Sequence, residues 1–198
     1  MPNKIINING EFIAEIKSLV NKARSMAYAA VNKAMVEAYW NIGRRIVEEE
    51  QKGENRAGYG QQLLKQLSAA LTQEYGKGFS VGSLYYMRQF YITFPEIFAT
   101  PWRILSWSHY KRIMQVSSET ARNWYLREAS EQMWSYSTLN RNIATQYYDR
   151  MLLSQRKDLV EKEMKELTKP LQNDKLEFIK NPVVAEFLGR SEERRVGK

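Results

Sequence analysis

Apolar side chains recur with the 3.6-residue period of an α-helix along residues 12–47. No Pro or Gly interrupts this segment before Gly43. Its apolar positions are Phe12, Ile16, Leu19/Val20, Ala23, Met26/Ala27, Ala30/Val31, Met35, Tyr39, Ile42 and Ile46. We therefore predict one long N-terminal helix, and the alternative is a helix pair broken near the sequence NKAM. The stretch EEEQKGENRAGYG ends the helix because its Gly, Asn and charged residues favour a loop.

Residues 60–94 are predicted to form a helix-turn-helix-like unit. The first helix places its apolar residues on one stripe and is closed by Gly76, a residue type that often caps the C-terminus of a helix. The turn KGFS leads into the second helix, VGSLYYMRQFYITF. That helix ends before Pro95, because Pro disfavours the α conformation at the preceding residue. Two helices joined by a short Gly-containing turn are typical of helix-turn-helix units.

Three helix starts, including that of the helix after the KGFS turn, share an aromatic residue followed by Ser, at Phe79, Trp107 and Trp134. The Ser side chain can cap a helix by accepting a hydrogen bond from a free backbone N–H. The middle copy is the weakest, because Arg112 stands where the other two copies have Leu. After Pro95 we predict helices over residues 108–115, 117–133 and 135–153.

No segment shows the sustained alternation of a β-strand, so the predicted fold class is all-α, a multi-helix domain. We assign residues 1–153 to this helical domain. Residues 154–169 carry charge on most sides and are interpreted as an exposed helix or a linker. Residues 154–189 as a whole are interpreted as a charged linker and the start of a connection to a further domain.

Composition excludes several classes of protein. The chain has no Cys, which excludes disulfides and thiolate metal sites, and 43% hydrophobic residues support a packed core. We find neither a signal peptide nor an apolar stretch of the roughly 18 residues that span a bilayer, and we expect a cytoplasmic protein without a membrane partner. The formal net charge of +8 attracts polyanions. Residues 77–150 hold nine basic and five acidic side chains, the largest excess of the chain.

No constellation of catalytic residues is recognised. His109 is the single histidine, without a partner at metal-ligand spacing, and is interpreted as structural. Asp149, Glu163 and Lys165 match the spacing of a two-metal nuclease motif. That motif needs Glu and Lys on one face of a strand, whereas side chains two residues apart on a helix diverge. We expect no catalytic site, small-molecule substrate, cofactor or metal in this chain.

The helix after the KGFS turn is the best candidate for contact with nucleic acid. Helical spacing places Leu84, Met87, Tyr91 and Phe94 toward the core. A small residue permits close backbone approach, Gln can pair with adenine, and basic groups can meet phosphates. The candidate contacts are Lys77 in the turn and, on the outward face and its flank, Gly82, Tyr85, Tyr86, Arg88 and Gln89. Thr93 lies on the same face. The alternative is a tyrosine-rich helix buried against the Trp-rich segment, in which case Lys111, Arg112 and Arg122 are the better candidates.

Several long motifs identify a family resemblance. They run from NKARSMAYAAVNKAMVEAYWNIGRRIVEEE through LSWSHYKRIMQV and ARNWYLREA to MWSYSTLNRNIATQYYDRMLLS. Residues 15–188 resemble the N-terminal domain of the YhcG family of bacterial proteins. This resemblance implies a helical N-terminal domain ahead of a nuclease domain of the PD-(D/E)xK superfamily, where divalent metal would bind. A segment similar to FIKNPVVAEFLG joins the two domains in that family.

The similarity stops at Gly189, where the nuclease domain is expected to begin. The nonamer RSEERRVGK back-translates to a sequence like a common short-read adapter, so we interpret residues 190–198 as a non-native tail. Our functional hypothesis is a DNA-binding or DNA-positioning domain of a nuclease, with the catalytic domain absent. The alternative is a helical interaction or dimerisation module, with the long N-terminal helix as the surface for a homo-oligomer.

Overall fold

A computed structural model describes residues 9–52, 59–97 and 105–171. These residues form eight α-helices and two 3-10 turns, Lys77–Phe79 and Lys169–Leu171, and no β-strand lies among them. The all-α prediction is confirmed. The helices are α1 (Gly10–Lys52), α2 (Tyr59–Tyr75), α3 (Val81–Thr93), α4 (Trp107–Ile113), α5 (Glu119–Glu131), α6 (Tyr136–Ala144), α7 (Tyr147–Leu153) and α8 (Lys157–Thr168).

Helix α1 is continuous over 43 residues, so the prediction of one long helix is confirmed and a break near NKAM is wrong. Only its C-terminal half packs against the rest of the described structure. Its buried residues begin at Met35 and end at Ile46, whereas residues 10–27 are all exposed. The periodic apolar residues therefore extend toward the N-terminus well beyond the part of α1 that the other helices cover.

Helices α1 and α3 cross closely at Gly43. A Cβ built on Gly43 would lie 2.0 Å from the carbonyl oxygen of Met87 and 3.2 Å from Cβ of Tyr91. Only a residue without a side chain permits this approach of two backbones. The contact seats Leu84, Met87 and Phe90 in the core, and Phe90 packs its ring 4.7 Å from that of Tyr110 in α4.

The predicted unit of two helices and a turn is present as α2, the turn Lys77–Phe79 and α3. Gly76 ends α2 with φ 88°, a conformation that disfavours residues with a side chain, and its N–H donates to the Thr72 carbonyl. Ser80 caps α3 by accepting from the Ser83 N–H. At the other end, Trp40 Nε1 donates to the Phe94 carbonyl at 2.9 Å, directly before Pro95.

The aromatic-Ser prediction holds at two of its three positions. Ser80 and Ser135 are N-caps whose side chains accept backbone hydrogen bonds. In the middle copy the N-cap is Ser106, and Trp107 is already the first helical residue, so the predicted start is displaced. The Ser106 hydroxyl makes no cap bond to a backbone N–H. It bonds Nδ1 of the buried His109 ring at 2.5 Å.

The helix predicted over residues 135–153 is divided into α6 and α7. Gln146 lies between them with φ 53°, in the left-handed region. The Tyr125 hydroxyl of α5 donates to the Asn142 carbonyl and accepts from the Tyr148 N–H, at 3.2 and 3.0 Å. One buried side chain thus satisfies backbone groups at both sides of the break, which compensates the lost helical bonds.

Helix α8 lies in the segment interpreted as an exposed helix or linker. Most of its surface is exposed, but Met164 and Thr168 are buried, and Met164 belongs to the common hydrophobic core. The boundary at residue 153 stays a prediction. The predictions for residues 172–189 and for the tail 190–198 lie outside the described residues. In the described part of the chain, no helix combines the length and apolarity that crossing a membrane requires.

Candidate nucleic-acid interface

The outward face of α3 carries three of the predicted contact residues in exposed or half-exposed positions. Gly82 is exposed, and a Cβ placed on it would meet nothing within 4 Å. The Tyr85 side chain is 48% exposed, and Gln89 is half-buried one turn further along. The opposite side of α3 is buried at Leu84, Met87 and Phe90, whereas Gly82 and Tyr85 stay exposed in the described part of the chain.

The exposed side chains of α3 are held in place by each other. Gln89 Nε2 donates to the Tyr85 hydroxyl at 3.0 Å, and the Tyr85 ring packs edge-to-face on Tyr86 with centroids 6.1 Å apart. Tyr86 is half-buried, and its ring packs against the hydrophobic core. Thr93 is also half-buried, at the end of the helix. Tyr85 and Gln89 therefore present a hydroxyl and an amide on the outward face of α3.

Lys77 and Arg88 flank this face with different surroundings. Lys77 is exposed on the turn before α3. Arg88 Nε donates to Oε2 of Glu50 in α1 at 2.6 Å, and the two side chains are only 29% and 17% exposed. Removing one member of such a pair leaves a half-buried charge without its partner, which costs about 1–3 kcal/mol. Arg88 therefore stabilises the contact between α1 and α3.

The alternative basic residues are also engaged within the domain. Arg112 Nε donates to Oδ1 of Asn140 at 2.7 Å, and Arg122 Nη1 donates to the carbonyls of Val116 and Ser117 at 2.8 and 3.0 Å. Lys111 is half-buried, and burial lowers the pKa of its ammonium group. Arg122 therefore braces the α4–α5 connection, and Arg112 joins α4 to α6.

His109 is structural in its surroundings. The ring is buried, with Nδ1 on the Ser106 hydroxyl and Nε2 donating to the Trp134 carbonyl at 3.0 Å. Burial lowers the pKa of His109 from 6.5 to about 4, so the imidazole is neutral at physiological pH. A neutral ring with both nitrogens bonded to the domain has no free position for a metal or a substrate.

The nuclease-like spacing of Glu163 and Lys165 lies on α8, and the two side chains diverge as predicted. Glu163 bonds Nη2 of Arg150 in α7 at 2.5 Å, whereas Lys165 pairs with Glu161 on its own helix. Across residues 9–52, 59–97 and 105–171, no three His, Asp or Glu side chains are grouped closely enough to hold a metal ion.

Comparison with known families decides the relationship of the chain. Residues 15–150 match the family described as the DUF1016 N-terminal domain. The chain belongs to this family. It is 36% identical over 208 aligned residues to "Putative nuclease YhcG" of Escherichia coli (strain K12), and the alignment covers 88% of this chain and 54% of the relative. The chain thus spans about half the length of the relative it matches. No solved structure matches it.

Three features of this DUF1016 N-terminal domain were missed by the sequence analysis. Phe90 is fully buried, although it lies outside the predicted core stripe, because α4 covers a second side of α3. Its position three residues after Met87 was an available signal. Val81 and Ile92, 41% and 47% exposed, add apolar surface on both sides of Tyr85. The pairing of Arg88 with Glu50 had no sequence signal, since 38 residues separate them.

Proposed function

We propose that this domain binds double-stranded DNA through the outward face of α3 and positions it for a nuclease domain in longer family members. The observation that carries the proposal is the exposure of Gly82 and Tyr85 on one face of α3, with the half-buried Gln89 one turn further along, directly after a turn that presents Lys77. The opposite face is anchored on α1, so the helix is held rigidly with these groups outward.

The chemistry of that face suits a duplex groove. A Gln amide can donate to and accept from the major-groove edge of adenine, and Gly82 lets the backbone approach a phosphate or a base closely. Helix α3 contains no Asp or Glu. From residue 59 to residue 93 the charged side chains are Lys65, Lys77 and Arg88 against Glu74. Because Arg88 is paired with Glu50 of α1, the exposed cation that flanks this face is Lys77.

The link to a nuclease rests on the relative's name and on the share of its length that this chain covers. Within this proposal, cleavage and its divalent metal belong to the remainder of the longer proteins, and the present chain acts without cofactor or small-molecule substrate. We place this activity in the cytoplasm. Pure chain incubated with DNA and Mg²⁺ or Mn²⁺ is accordingly expected to leave the DNA intact.

Fluorescence anisotropy with duplex, branched and single-stranded DNA at two salt concentrations tests the proposal. Lys77→Ala should weaken binding to all duplexes alike and flatten the plot of log affinity against log salt by about one unit. Gln89→Ala should cost about 1–3 kcal/mol of binding free energy at preferred sequences only, if bases are read. Lys157→Ala is the matched control, because Lys157 is an exposed lysine at the start of α8.

Arg88→Ala is unsuitable as a test of phosphate contact, since it also removes the partner of Glu50. Tyr85→Phe is more informative, because it keeps the ring and removes the hydroxyl that Gln89 contacts. Unchanged affinity in Lys77→Ala, Tyr85→Phe and Gln89→Ala together would contradict binding through α3. Loss of affinity in Lys111→Ala alone would instead indicate that DNA binds at the α4–α5 surface.

A further inference from the structure

The N-terminal half of α1 presents a long apolar surface that nothing in the described structure covers. We call this surface the α1 stripe, and it consists of Phe12, Ile13, Ile16, Leu19, Val20, Ala23, Met26, Ala27 and Ala30. Its large members are strongly exposed: Phe12 by 55%, Leu19 by 62% and Met26 by 65%. Contiguous apolar surface of this kind marks a site of association.

The spacing within the stripe is that of a coiled coil. Phe12, Ile16, Leu19, Ala23, Met26 and Ala30 are separated alternately by four and three residues, the spacing of heptad positions d and a. Ile13, Val20 and Ala27 follow at the adjacent e positions and widen the stripe. A helix is marginally stable in water by itself, and packing of its apolar face supplies most of its stability. Covering this face with the apolar face of another helix would therefore stabilise the first half of α1.

The charges beside the stripe fit a second copy of the same helix. With Phe12 at d, Glu15 and Lys22 occupy successive g positions, and both are exposed. In an antiparallel pair the g position of one helix faces the g position of the other. An alignment with Ile16 opposite Leu19 sets Glu15 of each copy against Lys22 of the other, forming two symmetric opposite-charge pairs.

Other alignments lack this complementarity. A parallel pair places g opposite e, where Val20 and Ala27 carry no charge. An antiparallel pair shifted by one heptad sets Lys22 against Lys22, which is repulsive. In the favoured alignment a large side chain also lies opposite a small one, because Phe12 meets Ala23 of the second copy. We propose that the α1 stripe binds the α1 stripe of a second copy of this chain in this antiparallel arrangement.

This pairing has a geometric consequence for DNA binding. The consequence rests on the function proposed above, whereas the pairing itself does not. The two-fold axis passes between Lys17 and Ser18, and α3 packs on α1 at Gly43. At 1.5 Å per residue along a straight α1, each α3 lies about 38 Å from the axis and about 75 Å from the other α3. Two half-sites separated by roughly two helical turns of duplex would then be bound together.

Sedimentation velocity of the 198-residue chain, from low to high micromolar concentration, tests the pairing without DNA. The wild-type chain is expected to form a dimer. Glu15→Lys places Lys against Lys22, and Lys22→Glu places Glu against Glu15, so each variant alone should raise the dimer dissociation constant about tenfold or more. An equal mixture of the two variants, and the double variant, should both restore dimerisation. A monomer at every concentration, or charge variants that dimerise as the wild type does, would overturn the proposal.

A second comparison separates loss of pairing from loss of folding. Leu19→Asp removes a stripe residue that is exposed in the single chain, whereas Asn21→Asp adds the same charge on the other side of α1. We expect Leu19→Asp to abolish the dimer, Asn21→Asp to keep it, and both to retain the unfolding temperature of the α3–α8 core measured on monomeric samples. If Leu19→Asp instead removed only binding to anionic phospholipid vesicles, the stripe would be a lipid surface and the proposal would be wrong.

Discussion

His109 shows how a single buried side chain couples the stability of this domain to pH. Its ring is enclosed where α4 begins, and its two nitrogens join Ser106 to the Trp134 carbonyl. Burial disfavours the imidazolium, which lowers the pKa in the folded chain to about 4, against about 6.5 in the unfolded chain. Between these values the unfolded chain binds a proton that the folded chain does not.

The free energy of unfolding should therefore fall as the pH falls from about 6.5 toward about 4. Above about pH 6.5 the stabilising contribution of the neutral His109 is fully present. His109 alone contributes a loss of about 2 kcal/mol between about pH 7.5 and about pH 5. Urea unfolding at these two pH values measures the loss. His109→Gln keeps an amide donor for the Trp134 carbonyl and should lack this part of the pH dependence, while its carboxylates titrate as in the wild type. Equal pH dependence in both chains would show that His109 is not the group responsible.

At the scale of the helix, Gly43 and Gly82 lie in opposite surroundings, one at a close helix crossing and the other in open space. Gly43 lies where α1 and α3 touch, and the backbone oxygen of Met87 occupies the place of its missing side chain. Gly82 lies near the start of α3 with open space around it. In an exposed helix a glycine only costs backbone entropy, whereas at a crossing it sets the distance between two helices.

Gly43→Ala should lower the free energy of unfolding by about 1–3 kcal/mol, because α1 and α3 must separate to admit the methyl group. Gly82→Ala should instead leave stability unchanged or raise it by up to about 1 kcal/mol. Thermal and urea unfolding of the two variants give both values. Close approach of Gly82 to DNA additionally predicts weaker duplex binding by Gly82→Ala despite its intact fold. Equal destabilisation by the two substitutions would refute the close crossing at Gly43.

At the scale of the whole molecule, one hydrophobic core connects the N-terminal and C-terminal helices. The core extends from Met35 of α1 through Phe90 and Tyr110 to Trp134 and Met164. Its rings pack edge to face, as between Tyr39 and Trp107 at 5.0 Å and between Trp124 and Tyr147 at 5.4 Å. Because Met164 is 2% exposed, α8 takes part in this core despite its charged surface.

Met164→Ala is thus expected to lower the free energy of unfolding by about 2–5 kcal/mol, through lost burial and the cavity left behind. Leu159→Ala is the matched control, since the Leu159 side chain on the same helix is 51% exposed and should cost far less. Urea unfolding followed by tryptophan fluorescence measures both. A Met164→Ala chain as stable as Leu159→Ala would mean that residues 154–169 act as a linker, as the sequence analysis allowed.

Local sequence alone determined most of the helices and one face of the candidate site. The period of α1, the left-handed Gly76 and the caps Ser80 and Ser135 follow from rules that involve only neighbouring residues, and each is present. The placement of Gly82, Tyr85 and Gln89 opposite Leu84 and Met87 likewise follows from 100° per residue. That these residues bind DNA stays a prediction.

Tertiary structure decided the features that join residues distant in sequence. Arg88 meets Glu50 across 38 residues, and the Tyr125 hydroxyl reaches the α6–α7 break across 17 and 23 residues. Trp107 is the first residue of its helix, and the Ser106 hydroxyl before it bonds the buried His109 ring and not a backbone N–H. No local pattern encodes these contacts, since each depends on how the helices pack. The same packing covers only the second half of a helix whose apolar period runs along its whole length, and so leaves the α1 stripe exposed.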